Sequence, residues 1–187
     1  MSTFEHEARF PIINHVLVVS RLDGSAKFRR VDDSWQTDTY YSPKHRDFLA
    51  EDPVSEWLRI RIDGESSSIC HKNWGKVKGI SCEELETGVA DPHTMDKILA
   101  ALDVYPLIQV KKHRQTWLSD SVAVSIDWVE GLGFFIEIEK KMDTRDDRVA
   151  RAGFDAILAD LGAEVLEEDY RGYPMMLIER MRQAQEG

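Results

Sequence analysis

The chain has 187 residues, of which 42% are hydrophobic and 31% charged, and its formal net charge at pH 7 is −10. A chain of this length and composition can bury a core of its own, and we expect a single domain over residues 1–187. The acidic balance argues against a general nucleic-acid binder, whose affinity comes mainly from neutralising phosphates. It leaves room for a small polyphosphate held at a locally basic site.

Targeting and redox features favour the cytoplasm. The longest apolar stretches, at 16–19 and 134–136, are far shorter than the roughly 20 residues of a membrane helix. The N-terminus has no basic start followed by an apolar run, so we expect no secretory signal. Cys70 and Cys82 are too few for a disulfide framework and lack CxxC spacing. We therefore expect a cytoplasmic protein with no membrane partner.

Period-two alternation of apolar and polar residues dominates the predicted elements. In chain order these are a strand at 4–10, an ambiguous segment at 11–22, strands at 36–41, 57–63, 68–74 and 79–87, a helix after Asp91-Pro92, strands at 110–118, 122–129 and 134–139, and helices at 146–161 and 175–185. The ambiguous segment has the length of a helix, but Val16, Val18 and Val19 suit a strand. Asp91-Pro92 is a capping residue followed by proline at the first helical position, and Gly162 is placed to end the helix at 146–161.

Charged residues of one sign recur at alternate positions of the predicted strands. They are Glu5/Glu7 with Arg9, Arg59/Arg61, Lys72, Lys112/Arg114 and Glu137/Glu139. Neighbours at i and i+2 face the same way about 7 Å apart, so like charges there usually destabilise a strand unless an ion bridges them. A divalent cation can bridge carboxylates, and a phosphate chain can bridge basic pairs. Ion-pair ladders across strands would satisfy the same residues, and the pattern alone does not separate these alternatives.

The pattern predicts an α+β fold, a closed or nearly closed antiparallel β-barrel (a tunnel) with helices packed outside. The outer face of the barrel would be apolar under the helices, and the inner face would be charged. Acidic pairs from the first strand and a late strand would converge on Mg²⁺ or Mn²⁺, since these hard cations favour carboxylate oxygens.

Six segments stand in order along the chain: EHEAR at 5–9, QTDTYY at 36–41, LRIR at 58–61, Lys72, KHR at 112–114, and Asp127 with LGFFIEIE at 132–139. They resemble, in the same order, the ExExK, Q-x-D-x-Y, LRxR, lysine, KxR and D…LGxFxEIE motifs of the CYTH superfamily, the triphosphate tunnel metalloenzymes. One such short motif would be weak support, whereas six in order over nearly the whole chain are specific.

The resemblance implies two sets of site residues. The catalytic metal ligands would be Glu5, Glu7, Asp127, Glu137 and Glu139. The triphosphate would be bound by Arg9, Arg59, Arg61, Lys72, Lys112 and Arg114. Asp38 and Glu84 are weaker candidates, because an exposed strand carboxylate or a turn residue would look the same. His6 and His113 fall on the opposite strand faces, so we expect both to be structural.

Two positions depart from the family pattern. Arg9 stands where the signature has lysine, which keeps the charge but changes its geometry. Cys82 stands where the family commonly has arginine, which removes one potential phosphate contact. The second departure leaves the substrate open.

The resemblance is strongest to the class IV adenylyl cyclase-like branch. It implies an enzyme that converts ATP to cyclic AMP and pyrophosphate with Mg²⁺ or Mn²⁺. A triphosphatase acting on inorganic, thiamine or another organic triphosphate needs the same charged residues and is the first alternative. A non-catalytic binder of nucleotide or polyphosphate is the second. The expected partner is a small-molecule triphosphate rather than nucleic acid, and a homodimer is compatible with the sequence.

Overall fold

The computed structural model describes residues 4–75, 81–142, 146–168 and 170–186. Their eight strands are β1 (Phe4–Pro11), β2 (Arg29–Pro43), β3 (Glu56–Asp63), β4 (Ser66–Asn73), β5 (Ser81–Gly88), β6 (Val104–Leu118), β7 (Ala123–Val129) and β8 (Gly133–Met142). Their helices are α1 (His15–Asp23), α2 (Pro92–Ala101), α3 (Asp147–Leu161) and α4 (Gly172–Glu186), with a short 3-10 helix at Phe48–Ala50.

The strands form a closed antiparallel β-barrel in the order β1-β5-β4-β3-β2-β6-β7-β8. Strands that follow one another in the chain pair within β2–β5 and within β6–β8. The first strand pairs with both β5 and β8, and its ladder with β8 runs from Phe4 opposite Met142 to Pro11 opposite Phe135. This topology confirms the predicted α+β barrel.

The chain divides into two compact units. The first contains the described residues of Met1–Ser34, Gly79–Cys82 and Lys112–Tyr170. The second contains those of Trp35–Lys78, Glu83–Lys111 and Arg171–Gly187. The expectation of a single domain over residues 1–187 stays a prediction.

The core of the first unit lies on the apolar face of β1, β7 and β8. Alternate residues of these strands, such as Ala8, Ile126 and Ile136, pack with the buried faces of α1 and α3. Phe154 of α3 is the largest helical side chain in this cluster and is 1% exposed. Because side chains alternate across a strand, burying this set turns Glu7, Asp127 and Glu137 to the other face.

The second unit has a smaller core built on the same rule. Tyr41 and Ile60, from β2 and β3, pack with Leu99 of α2 and with Val104 at the start of β6. The opposite faces of β2 and β3 therefore carry the intervening polar residues, including Asp38, Arg59 and Arg61.

The helix boundaries follow the predicted capping residues. Asp91 accepts a hydrogen bond from the Thr94 N–H, with Pro92 opening α2. Asp146 caps α3 in the same way, and Gly162 ends it with a φ of 55°. The helix predicted at 175–185 begins earlier, at Gly172. Among the described residues, no helix is long and apolar enough to cross a membrane.

Three segments differ from their predictions. The ambiguous segment at 11–22 contains helix α1, in which Val18 and Leu22 are buried one turn apart while Val16, which would share the face of Val18 in a strand, is exposed. The strands predicted at 36–41 and 110–118 are both 15 residues long in the structure. The added stretches 29–35 and 105–109 carry mostly exposed side chains, so they lack a clear alternation. Residues 79 and 80 of the strand predicted at 79–87 lie outside the described residues.

Candidate active site

The register of the first unit places acidic and basic residues opposite one another on one face. Glu7 of β1 lies opposite Glu139 of β8, and Arg9 lies opposite Glu137. On the neighbouring ladder Arg114 of β6 lies opposite Asp127 of β7. Residues directly opposite in an antiparallel pair have Cβ atoms about 5 Å apart, so their side chains can interact.

These side chains form a continuous chain of alternating charge. Its members in order are Glu7, Arg9, Glu137, Arg114, Asp127 and Lys112. Arg9 Nε donates to Glu137 Oε2 at 2.8 Å, and Arg9 Nη2 lies 3.3 Å from Glu7 Oε1. Arg114 donates to both oxygens of Asp127 at 2.7 and 2.6 Å, and to Glu137 Oε1 at 2.8 Å. Each carboxylate in this network therefore touches a guanidinium.

Asp127 and Lys112 are the most deeply buried members of the network. Asp127 is fully buried, and the Lys112 side chain is 2% exposed with its Nζ 3.5 Å from Asp127 Oδ2. Burial acts to raise the pKa of Asp127, but the charges of Arg114 and Lys112 outweigh it and hold the pKa below its ordinary value. Asp127 is therefore ionised at neutral pH.

The acidic residues of the first unit supply a donor set that fits a hard divalent cation. Glu7 and Glu139 face each other across the β1–β8 ladder, and Glu5 lies two residues along the same strand face as Glu7. Carboxylate oxygens from adjacent strands are the ligands that Mg²⁺ and Mn²⁺ prefer. Glu137 and Asp127 form ion pairs with Arg9 and Arg114. Within the described ranges, no group of three His, Cys, Asp or Glu side chains is already arranged as a metal site. Binding a cation would require these side chains to turn from their arginines.

A second charged cluster lies in the second unit. Arg61 Nε and Nη2 donate to Asp38 Oδ1 and Oδ2, both at 2.7 Å, in a bidentate pair. Arg59 Nη1 lies 3.8 Å from the same carboxylate, and Arg59 lies opposite Tyr40 in the β2–β3 register. Burial acts to lower the pKa of Arg59, but Asp38 and Tyr40 outweigh it and raise the pKa well above its ordinary value. Two arginines two residues apart thus share one buried carboxylate.

Arg59 retains one hydrogen-bond donor without an acceptor. Its Nε is buried and has no hydrogen-bond partner among the residues that the structure describes. Buried donors are nearly always paired, so an orphaned guanidinium N–H marks a position where an oxyanion would be favourable.

Lys72 and Cys70 lie on β4, and Cys82 lies on β5. Lys72 lies opposite Glu84 in register, and Cys70 Sγ donates to Glu84 Oε1 at 3.2 Å. Burial raises the pKa of Cys70 to about 12; the charge of Glu84 also raises it, while that of Arg59 lowers it. Cys82 is fully buried and lies opposite Glu5 in register.

The two histidines expected to be structural lie away from the charged faces. His6 is buried on the face that meets α3, with its Nε2 3.6 Å from Asp147 Oδ1. The Nε2 atom of His113 is 2.8 Å from the Asp33 carboxylate near the start of β2.

The structure thus groups the residues implied by the resemblance into two sets. The first unit holds Glu5, Glu7, Arg9, Lys112, Arg114, Asp127, Glu137 and Glu139, and the second holds Arg59, Arg61 and Lys72. Asp38, a weaker candidate in the sequence, is wholly buried against the two arginines of the second set. The sequence signal for the burial of Asp38 was an alternating pattern on two strands. In that pattern Gln36, Asp38 and Tyr40 lie opposite Asp63, Arg61 and Arg59, but recognising it requires the register to be known.

Comparisons with a family model and with known proteins each give a match. The family model described as the CYTH domain matches residues 4–173. A protein of Methanocaldococcus jannaschii, named as a candidate adenylate cyclase, is 31% identical over 123 residues, which are 65% of this chain and 68% of that one.

Solved structures share the fold. A protein of Pyrococcus horikoshii superposes with a TM-score of 0.77 and 26% identity over 94% of this chain and 99% of that one. A Hippeastrum protein, described as a candidate adenylyl cyclase with a dominant triphosphatase activity, has a TM-score of 0.61 and 16% identity over 89% of this chain and 92% of that one.

Proposed function

Because the chain belongs to the CYTH domain family, we propose that it is a metal-dependent enzyme that acts on a triphosphate, and that it converts ATP to cyclic AMP and pyrophosphate as the class IV adenylyl cyclases do. Enzymes of this family act on triphosphates and generally depend on a divalent cation. The Methanocaldococcus jannaschii relative, named as a candidate adenylate cyclase, supports the choice of reaction.

One observation carries the proposal: the alternating chain of acids and bases on one face of β1, β6, β7 and β8. Burying so many charges costs free energy, and an apolar set of similar volume is often at least as stable. A structural barrel has no need of this network. A site that must neutralise both a cation and a polyphosphate needs both kinds of residue together.

We assign the acidic residues to the cation. Glu5, Glu7 and Glu139 would hold it from adjacent strands, with Asp127 and Glu137 completing the set directly or through water. The bound Mg²⁺ or Mn²⁺ would supply neutralisation of the charge that develops on the phosphate oxygens.

We assign the basic residues to the substrate polyphosphate. Arg9, Arg59, Arg61 and Arg114 offer forked donors that match phosphate oxygens, while Lys72 and Lys112 add point charges. The orphaned Nε of Arg59 supports this role for the second unit. In the proposed reaction the triphosphate undergoes in-line displacement at the α-phosphorus, in which the ATP 3′-hydroxyl loses its proton and its oxygen forms a new bond as the bond to pyrophosphate breaks.

A triphosphatase is the second candidate function. The Hippeastrum protein of the same fold is described as having a dominant triphosphatase activity, so this barrel also supports hydrolysis at the terminal phosphorus. Water would replace the 3′-hydroxyl as the nucleophile, and the charged residues would keep their roles. A non-catalytic binder is the third candidate, and it predicts ligand binding without turnover.

Product analysis tests the proposal. The purified protein would be incubated with Mg²⁺ or with Mn²⁺ and offered ATP and inorganic triphosphate separately, with products resolved by ion-exchange chromatography. We expect cyclic AMP and pyrophosphate from ATP. We also expect the loss of at least about 100-fold in turnover in Glu7→Gln, because a ligand of the cation is removed. Glu83→Gln, a matched change at an exposed residue of β5, should retain activity.

The other outcomes separate the candidates. Orthophosphate from inorganic triphosphate without cyclic AMP would move the protein to the triphosphatases. No product with either metal would leave a binding protein and contradict the proposed enzyme. Equal turnover in Glu7→Gln and Glu83→Gln would contradict the assigned cation site.

The remaining expectations concern the whole protein. We propose that it acts in the cytoplasm as a single domain on a small-molecule triphosphate, without nucleic acid or membrane partners. A homodimer stays a prediction, which light scattering coupled to size-exclusion chromatography would test.

A further inference from the structure

Asp38 is a buried carboxylate placed between two arginines of the second unit. It lies on β2 with no exposed surface, opposite Arg61 in the β2–β3 register. Arg61 binds both of its oxygens at 2.7 Å, and Arg59 Nη1 lies 3.8 Å from Oδ2. A carboxylate at the centre of an anion-binding cluster opposes the binding of an anion by simple charge.

The bidentate geometry explains why a carboxylate is nonetheless useful there. Two parallel N–H···O bonds fix the plane of the Arg61 guanidinium, which an isolated charge would not do. A guanidinium carries five N–H donors, so three donors of Arg61 remain for another acceptor. Arg59 is held beside it by Asp38, and within the described part of the chain its buried Nε still lacks an acceptor.

The shared carboxylate also relieves the repulsion between the two arginines. Arg59 and Arg61 lie on the same face of β3, two residues apart. Without an anion between them they would repel each other and adopt many side-chain conformations. With Asp38 in place, both are ordered before any ligand arrives, so less conformational entropy is lost on binding.

We propose that Asp38 is a positioning residue that holds Arg61 and Arg59 in the orientation in which their remaining N–H groups bind the phosphate oxygens of a polyphosphate. This inference rests on the proposed function, since it concerns the same substrate. It assigns Asp38 no contact with the substrate.

The direction in which one substitution changes the affinity for an anion distinguishes a positioning role of Asp38 from a purely electrostatic one. Asp38→Asn removes a negative charge near the anion, so simple electrostatics predicts tighter binding. Positioning predicts weaker binding, because the neutral amide can no longer accept from both arms of Arg61. We expect binding of sodium tripolyphosphate to weaken about tenfold or more, measured by isothermal titration calorimetry in EDTA so that no turnover occurs.

Two further variants make the comparison specific. Asp63→Asn is the matched control, because Asp63 lies on the same strand two residues after Arg61 but accepts from the Gln36 amide at 2.9 Å. It removes the same charge and should not weaken binding. Asp38→Glu keeps the charge but displaces the carboxylate by one methylene, and it should also weaken binding. This variant supplies the comparison if circular dichroism shows that Asp38→Asn does not fold.

A double-mutant cycle tests whether Asp38 acts through its main partner. In an Arg61→Ala background, Asp38→Asn should change the tripolyphosphate affinity by less than about threefold, because its bidentate partner is gone and only the longer contact with Arg59 remains. An equal loss in both backgrounds would contradict the proposal, and so would wild-type affinity in both Asp38→Asn and Asp38→Glu.

The result is distinguishable from a failure of the proposed enzyme. If the wild type binds tripolyphosphate but forms no product with either metal, the catalytic assignment fails while the role of Asp38 is still decided by the variants. If the wild type does not bind tripolyphosphate, there is no anion for the arginines to receive and the inference is overturned.

Discussion

Asp127 shows at the scale of a single residue how ion pairs hold the first charged face together. Its carboxylate is fully buried and receives two hydrogen bonds from Arg114 and the charge of Lys112. Buried pairs of this kind add little net stability compared with an apolar core, but removing one partner is costly because the other charge stays buried. Asp127 is therefore coupled to folding as well as to the proposed chemistry.

Replacing this carboxylate should destabilise the protein in metal-free buffer. We expect Asp127→Asn to lower the free energy of unfolding by about 3 kcal/mol, because Arg114 and Lys112 lose their buried counter-charge. Urea unfolding in the presence of EDTA measures this free energy for the variant and the wild type. Asp160→Asn is the control, since its ion pair with Lys27 is exposed and 3.6 Å long, and it should have almost no effect. Equal stability of Asp127→Asn and wild type would contradict the network as described.

The pH dependence of the same variant follows from the lowered pKa of Asp127. A carboxylate whose pKa is lower in the folded state contributes stability above its unfolded-state pKa, and loses it as pH falls through its folded-state pKa. The difference in unfolding free energy between wild type and Asp127→Asn should therefore be constant near neutral pH and shrink below about pH 4. A difference that grows on acidification would show that the pKa is raised instead.

At the scale of a helix, α3 offers two glycines with opposite expected effects. Gly153 lies in the exposed interior of the helix, and a Cβ added there would contact nothing within 4 Å. Gly162 ends the helix with a φ of 55°, in the left-handed region that L side chains disfavour. A Cβ there would also lie 2.1 Å from Arg21 Nη1, which would have to move.

These positions predict stability changes of opposite sign. Gly153→Ala should raise the free energy of unfolding by about 0.5–1 kcal/mol, because alanine has the higher helix propensity. Gly162→Ala should lower it by about 1–2 kcal/mol through backbone strain. Chemical denaturation of both variants measures the two changes in the free energy of unfolding. Destabilisation by both would indicate that α3 does not tolerate a side chain at 153.

The elements themselves were largely predictable, whereas their register was not. Alternation of Ala8 and Phe10 with Glu7 and Arg9 indicates the two faces of β1, and Asp91-Pro92 indicates the start of α2. Register depends on contacts between residues far apart in the chain, as the 128 positions between Arg9 and Glu137 illustrate. Local pattern therefore identified the charged residues but could not assign their partners.

Asp38 and α1 show the physical reasons for the two weakest predictions. A lone aspartate between threonines looks the same whether it is exposed or buried, because its burial is determined by arginines on the next strand. In α1 the β-branched Val16, Val18 and Val19 favour a strand locally, but packing of Val18 in the core overrides that weak preference.

At the scale of the whole molecule, the proposed ligands should bind cooperatively. In the structure Arg9 and Arg114 are committed to Glu137 and Asp127, the residues assigned to the cation. A polyphosphate that binds alone must break these ion pairs to reach the arginines, and a cation that binds alone must break them to reach the carboxylates. When both bind, every group regains an opposite charge, so each ligand should strengthen the other by about 1–3 kcal/mol.

Thermal unfolding tests this coupling. The rise in Tm with Mn²⁺ and tripolyphosphate together should exceed the sum of the separate rises by about 2–10 °C for a chain of this size. Arg114→Lys, which keeps the charge but cannot bridge Asp127 and Glu137 at once, should reduce the excess. Arg30→Lys, a matched change in a more exposed arginine paired with Asp23 and Asp33, should preserve it. Strictly additive rises in the wild type would contradict the coupling.

The division into two compact units limits how this protein can be rearranged. Each unit is assembled from three separated stretches of chain, and β2 and β6 each contribute residues to both. No continuous gene fragment therefore encodes either unit, so neither can be excised, duplicated or exchanged as a cassette. A crossover at any point between residues 35 and 170 would divide both units at once, so variation that preserves the fold is expected to proceed by substitution or by insertion at the turns.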